Sequence, residues 1–489
     1  MPKPTILFRA DGNSQIGLGH VVRSLALAEM LLPDFICIFA IQEPKEALAR
    51  QITDSGCHIE ILPFTSDYLR EAKQLGQQFG PTAHAVVLDG YQFPAAYQTS
   101  LRRYFKTVCL DDIHAIHFVA DAIINPAGAV PEKNYLKENY THLYAGPEYA
   151  LLRAPFLAAA RQIRSISNSS RFFLNLGGAD PHNDTLRLLE QLISQPGVAQ
   201  IETVVGSAYP FLTDLKDFAA QNPSVRVHRQ LSAEDMCRLM QTCDAAILPP
   251  STVAYEWCSV GGPLFLYRTA ANQKNLEQFL LQHQLAFSYA DLAATLPELT
   301  NNTKLAQDQL QKQRTYFDGK SSNRLRKIFH SLIYPDLLFL RKAQPSDLML
   351  LFDWINEPAV RQFSLNPAPV PLAMHTSWYQ HKLTDKNCFI FIAELRGVPA
   401  GMIRFDLSNQ EAIISYLLAE EYRGKGLGVL LLQKGLQSFR MATTRFKTIS
   451  ALVQQHNIAS VRAFEKAGFT AAPDPDRPLS GILKFTLPA

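Results

Sequence analysis

Short apolar runs alternate with amphipathic runs through the first 335 residues, and this alternation restricts the fold more tightly than any other feature of the chain. TILFRA (5–10) has the length and composition of a buried strand, and HVVRSLALAEML (20–31) repeats its apolar side chains at helical spacing. FICIFAI (35–41), HIEILP, HAVVLDG, TVCLDD and DAIINPA continue the strands, with helical segments such as PKEALARQITDSG and YQTSLRRYF (97–105) separating most of them. Strands that are apolar throughout are buried on both faces, as in a parallel, doubly wound sheet. The pattern restarts at RFFLNLGG (171–178). A helix from about 183, IETVVG, VRVHRQ, a helix from Ala233, DAAILPP, a helix from Thr252 and one long polar helix at about 303–332 follow. Two Rossmann-like α/β halves are expected, residues 1–150 and 151–335, joined across about 145–170.

The order changes near Leu337. SLIYPDLLFLRKAQPSDL reads as a linker entering a new first strand, LLFLRKA. Two helices, the strands FIFIAEL, PAGMIRFDL and EAIISYLL, a glycine-rich loop, a helix, the strand TISALV and the helix IASVRAFEKAG come next. Helices followed by an antiparallel meander mark a separate α+β domain, residues 336–489.

Composition narrows the function classes. Apolar residues are 47% of the 489 positions and charged residues 19%, which excludes disordered and collagen-like chains. Seven cysteines, with no CxxC or Cys/His zinc spacing, fit free thiols in a reducing cytoplasm, with no structural zinc. The apolar run in MPKPTILFRADG is too short for a signal peptide. No stretch approaches the roughly 18 apolar residues of a spanning helix, so a cytoplasmic protein without membrane insertion is expected. A net charge of +3 gives no reason to expect a nucleic-acid partner. The excess is uneven: residues 336–489 carry 17 Lys and Arg against 13 Asp and Glu, while the first 335 carry 30 against 31.

Candidate chemistry gathers at the strand ends, where open α/β sheets bind ligands. DGNSQIGLGHVVRS (11–24) places Gly17 and Gly19 in a loop after a strand and His20 at a helix start. The positive end of the helix dipole disfavours an imidazolium there, which suits a base that activates water. Asp89-Gly90-Tyr91, Asp111-Asp112 and Asn125 close three further strands. In the second half, Gly177-Gly178 precede a helix whose N–H groups can hold a diphosphate. Ser251 and Thr252 are N-cap candidates, and Glu256 stands one turn inside, where a carboxylate can accept ribose hydroxyls. Asn272 and Gln273 place two amides in a loop.

These residues carry a resemblance. FRADG…GLGH, VLDGY, LDD, IINPA, NLGGADP, STVAYEW…GGP and NQ, spread over about 1–330, resemble the UDP-sugar hydrolases of pseudaminic acid biosynthesis. Those enzymes are similar to the GT-B glycosyltransferase that makes lipid II. The resemblance implies a GT-B arrangement of the two halves, with His20 acting on water at the anomeric carbon and Tyr91 and Asp89 near the sugar. It also implies Glu256 on the ribose and Gly177, Gly178, Ser251 and Thr252 near the diphosphate. Pro249-Pro250 departs from the smaller residues usual in relatives.

A second site follows EAIISYLL. Arg423, Gly424, Lys425, Gly426, Leu427 and Gly428 form an R-x-x-G-x-G loop opening an amphipathic helix, a geometry that turns backbone N–H groups toward an anion. Together with HNIASVRAFEKAGF (456–469), this resembles the GNAT N-acetyltransferase superfamily over about 337–487. The resemblance implies that the loop binds the pyrophosphate of acetyl-CoA. It also implies splayed central strands admitting the pantetheine arm beside Leu417 and Leu418, with Asn457 near that arm. Phe464 stands where the family often has a tyrosine that protonates the leaving thiolate, which leaves water, Ser460 or Tyr416 as substitutes. His375, Trp378 and Arg361 are candidate acceptor contacts.

The two resemblances imply one chain with two consecutive steps on a UDP-linked amino-sugar: N-acetylation from acetyl-CoA, then hydrolytic loss of UDP, with no metal. A GT-B glycosyltransferase with an acceptor hydroxyl in place of water, an acetyltransferase for another amine, and a non-catalytic sugar-nucleotide sensor are the alternatives.

Overall fold

The computed structural model describes residues 3–12, 18–128, 130–166, 170–301, 303–474 and 481–488. The chain forms two compact units, one up to Arg326 and one from Lys327 onward.

The first unit contains two parallel sheets. Strands β1 (Thr5–Ala10), β2 (Ile36–Gln42), β3 (His58–Leu62), β4 (Ala83–Asp89), β5 (Lys106–Leu110), β6 (Ala122–Asn125) and β7 (His142–Ala145) lie in the order β3-β2-β1-β4-β5-β6-β7. The second sheet is built from β8 (Arg171–Leu174), β9 (Gln200–Val205), β10 (Val225–Arg229), β11 (Ala245–Leu248), β12 (Leu264–Leu266) and β13 (Phe287–Ser288), in the order β10-β9-β8-β11-β12-β13. In both sheets the chain builds outward to one side and then crosses to the other side of the first strand. The crossovers leave a crevice at the carboxyl ends of β1/β4 and of β8/β11. Register fixes what meets there: Ala10 pairs with Asp89, and Leu174 with Ile247. Each sheet carries its own core, with Leu7, Val86, Leu88 and Tyr97 central to the first and Phe172, Leu174, Ile247 and Phe265 to the second.

The second unit holds a mixed sheet of β14 (Leu338–Lys342), β15 (Cys388–Leu395), β16 (Val398–Ser408), β17 (Glu411–Leu418), β18 (Thr448–Gln454), β19 (Thr470–Pro473) and β20 (Ile482–Pro488). The order is β14-β15-β16-β17-β18-β20-β19, antiparallel except at β17/β18. That parallel pair is joined only over Glu411–Ile413 and Thr448–Ser450. Beyond Ile413 the two strands diverge, as the resemblance implied.

Three expectations change. The polar stretch at 303–332 is two helices, Thr303–Tyr316 and Ser321–Leu337. Asp318 breaks it, its carboxylate accepting from the Lys320 N–H and pairing with Arg324. The supposed linker Ser331–Leu337 is the end of that second helix, with Pro335 in its last turn. The first sheet also extends one strand further than expected, through β7. No helix among the described residues is long and apolar enough to cross a membrane.

Candidate active sites

The register of β1 against β4 builds the first site. The helix Gly19–Leu31 starts at the end of the loop after β1, so His20 sits in its first turn beside Asp89 at the end of β4. His20 Nδ1 lies 2.7 Å from Asp89 Oδ1. Arg23 Nη2 also lies 3.1 Å from Nδ1; with the Nδ1–H assigned to the anionic Asp89 oxygen, the basic nitrogen of the neutral ring is Nε2. Asp89 is 0% exposed. Burial pushes its carboxyl up, but the Arg23 guanidinium and the hydrogen bonds from His20 and Arg23 outweigh this and hold it below the usual carboxylate range. Arg23 donates to both Asp89 oxygens at 2.9 and 2.5 Å and pairs with Asp112 at 2.9 Å, while Ser24 Oγ donates to Asp89 Oδ2 at 2.8 Å. The Tyr91 hydroxyl donates to Asp112 at 3.1 Å, and its ring meets His20 edge-on at 4.9 Å. The result is a closed ring of contacts, His20–Asp89–Arg23–Asp112–Tyr91, with the imidazole held at its edge.

The carboxyl ends of both sheets contribute to one crevice. Burial and Asp112 push the Tyr91 phenol up, and Asn272, after β12, comes near enough to oppose them in part. Tyr255, from the helix Thr252–Val260, lies close enough to Asp112 and Arg23 for both charges to act on its phenol.

The expected diphosphate residues divide. No atom stands within 4 Å of the place a Cβ would take at Gly177 or Gly178, so this loop is open. The helix behind it, Asp184–Leu192, is already capped: Asp180 accepts from the N–H groups of Asp184 and Thr185 at 3.0 and 2.8 Å. By contrast, Ser251 makes no side-chain cap to the Thr252–Val260 helix, and Ser251 and Thr252 are both partly exposed. The open helix end is therefore the one at Thr252. Glu256 is 3% exposed and bidentate with Arg153 at 2.7 and 2.9 Å; burial pushes its carboxyl up and Arg153 draws it back. Its oxygens are turned to Arg153. Gln273 uses its amide oxygen on the N–H groups of Thr269 and Ala270.

Gly17 lies outside the described residues, and Gly19 opens the helix. Asn125 is buried and satisfied internally, bonding Asp111, Tyr135 and the Ala127 N–H. It shapes the loop after β6. Sequence reasoning missed Arg23, Ser24 and Arg153. The first two follow His20 by three and four residues, the spacing that shares a helix face, and that signal was available.

In the second unit, Gly424 and Gly426 have φ of +76° and +79°, and a Cβ at either would meet nothing within 4 Å. Only glycine takes this backbone without strain. The resulting loop ends at the uncapped helix Leu427–Ala442, a cradle that fits a pyrophosphate. Arg423 braces it, donating to the Leu418 carbonyl at 2.9 Å and pairing with Glu357. Lys425 is partly exposed in this loop, while Leu417 and Leu418 end β17 opposite Met402 and Gly401. Gly428 lies in the first turn against Tyr416. The Asn457 side chain caps the helix Ile458–Lys466 by accepting from the Ser460 N–H. His375 is buried, bonded to the Leu348 carbonyl and stacked on Tyr379, so it packs the core. Trp378 lies under Arg404, and Arg361 donates to the Asn366 carbonyl.

Two parallel, doubly wound sheets with a His–Asp pair at their strand ends, followed by a separate mixed sheet with a glycine loop at its diverging strands, define an α/β protein with a GNAT-type domain. Residues 338–470 match the family described as acetyltransferase (GNAT) domain. The chain is 22% identical to an uncharacterized protein of Methanocaldococcus jannaschii over 94% of this chain and 95% of that one. It is 26% identical to the spore coat polysaccharide biosynthesis protein SpsG of Bacillus subtilis, covering 59% of this chain and 81% of SpsG. It is also 25% identical to the UDP-2,4-diacetamido-2,4,6-trideoxy-beta-L-altropyranose hydrolase of Campylobacter jejuni, covering 51% of this chain and 86% of that enzyme.

Proposed function

We propose that the chain is a bifunctional sugar-nucleotide enzyme. The C-terminal domain transfers acetyl from acetyl-CoA to the 4-amine of UDP-4-amino-4,6-dideoxy-N-acetyl-β-L-altrosamine. The N-terminal unit hydrolyses the product, UDP-2,4-diacetamido-2,4,6-trideoxy-β-L-altropyranose, to the free sugar and UDP. The observation that carries the hydrolytic step is the imidazole of His20 held through Nδ1 by buried Asp89. The similarity to the Campylobacter jejuni hydrolase supports the substrate, and the match over 338–470 supports the acetyl transfer.

In this reading His20 Nε2 takes a proton from water as its oxygen bonds to the anomeric carbon. The bond from that carbon to the phosphate oxygen breaks, and UDP departs with the electron pair. Asp89 stabilises the imidazolium that forms, as a buried carboxylate behind a catalytic histidine does. A single displacement inverts the anomeric centre. Tyr91 and Asn272 border the sugar, and the open helix end at Thr252 faces the diphosphate. Acetyl-CoA supplies the acyl group; Arg423–Gly428 hold its pyrophosphate, and the diverging β17 and β18 orient its arm.

The decisive experiment supplies the UDP-4-amino-sugar with and without acetyl-CoA and follows products by mass spectrometry and anomeric NMR. The diacetamido sugar freed of UDP, and only when acetyl-CoA is present, is the expected result. Acetylation without UDP release removes the hydrolase assignment.

A further inference from the structure

We propose that Tyr416 is the hydroxyl that hydrogen-bonds the sulfur of acetyl-CoA and protonates it as it leaves, an assignment that rests on reading the C-terminal domain as an acetyltransferase. The last paired residues of β17 and β18 are Ile413 and Ser450, and Tyr416 lies three residues beyond, where the strands have parted. Its hydroxyl and ring edge stand 3.6 Å from the position a Cβ would take at Gly428, in the first turn of the helix that the anion loop opens. The same hydroxyl donates to Ser460 Oγ at 3.2 Å, and the ring meets Phe464 edge-on at 5.6 Å. The phenol thus lies on the sheet face where the strands part, between the first turn of the anion-loop helix and the helix Ile458–Lys466. Phe464, on that helix, brings a ring to this place with no hydroxyl. Burial pushes the Tyr416 phenol up, with Ser460 opposing, so it stays proton-bearing at neutral pH.

The step balances. As the amine nitrogen bonds to the acetyl carbon and the carbon–sulfur bond breaks, the Tyr416 proton passes to sulfur. For this the Tyr416–Ser460 hydrogen bond reverses when acetyl-CoA binds: the phenol O–H turns to sulfur and the Ser460 hydroxyl donates to the phenol oxygen, so that Ser460 passes its proton to the phenolate as it takes the one lost by the amine.

The test uses the full chain and CoA itself, and needs no turnover. A phenol donor stabilises a thiolate, so the thiol of CoA bound to wild type should titrate at lower pH than CoA bound to Tyr416→Phe. The expected difference is about one unit, equivalent to tenfold in the ionisation constant, read from thiolate ultraviolet absorbance. Identical titrations overturn the assignment. Failure of wild type to bind CoA overturns the acetyltransferase reading instead. In turnover with the UDP-4-amino-sugar, Tyr416→Phe should lower kcat about 100-fold, the low end for general acid catalysis, with the KM for acetyl-CoA unchanged. A kcat within twofold of wild type overturns the role. Ser460→Ala keeps the phenol, so it should lower kcat while leaving the bound thiol's titration as in wild type; an unaltered kcat removes the relay.

Discussion

Asp89 lies beneath His20, its Oδ1 2.7 Å from Nδ1 and wholly shielded from solvent, because β1 and β4 pair with Ala10 opposite Asp89. In the proposed hydrolysis a carboxylate so placed orients the imidazole, which makes Asp89 a positioning residue and His20 the base.

His20→Ala should lower UDP release by about 100- to 10,000-fold, the usual contribution of a general base, while acetyl transfer at the other site continues. Asp89→Asn should also lower kcat for UDP release, with KM little changed, since the defect is in ring orientation. The measurement is UDP released and acetyl transferred in the same sample. Loss of both activities in His20→Ala contradicts two separate sites.

Acid should reveal the Asp89 cluster. The folded carboxyl is held below its ordinary range, so the unfolded chain takes up this proton at a higher pH than the folded one. The stabilisation is fully present above the unfolded value of about 4 and is lost as pH falls through the lower folded value. The gap in Tm between wild type and Asp89→Asn should be steady from about pH 5 to 8 and narrow below about pH 4. A gap that stays constant to about pH 3 counts against this linkage.

Arg153 and Glu256 form a pair whose halves are unequal in cost. Arg153→Met leaves a buried carboxylate alone and should destabilise the fold by about 3–5 kcal/mol. The double variant Arg153→Met, Glu256→Met removes the stranded charge and should recover most of that loss. Thermal unfolding of the single and double variants measures the difference, and equal Tm values across the set exclude a coupled pair.

Gly426→Ala should weaken CoA binding at least tenfold. An alanine at φ +79° costs about 1–2 kcal/mol in backbone strain, and relief of that strain rotates the N–H groups away from the anion. Calorimetry with CoA reads the affinity, and thermal unfolding reads the strain. Unchanged affinity removes the loop as the pyrophosphate cradle.

The alternation of apolar strands with amphipathic helices, the restart at Arg171 and the change of order near Leu337 were legible because periodicity and strand length are local properties. The same holds for the R-x-x-G-x-G loop, whose positive φ values only glycine accepts without strain. Residue pairing was not local in this way. Asn125, Gln273 and His375 carry no mark in the sequence of the partners that occupy them, and Glu256 could not be seen to face Arg153 from 103 positions away. The extent of the 303–332 helix turned on a local break at Asp318 and Gly319, where Asp318 holds the Lys320 N–H and Arg324 and Gly319 has φ of +70°.

The sequence alone determined the kinds of element, their order and the loops where chemistry would gather, since these follow from side-chain size, polarity and backbone freedom over a few neighbours. Only the tertiary structure decided which polar groups face the crevice and which are spent on one another. Strand register and crossover bring His20 onto Asp89 and leave Tyr416 on the stretch of β17 that β18 no longer pairs. Hydrogen bonding is short-ranged and directional, so a shift of one residue in that register would have chosen different partners.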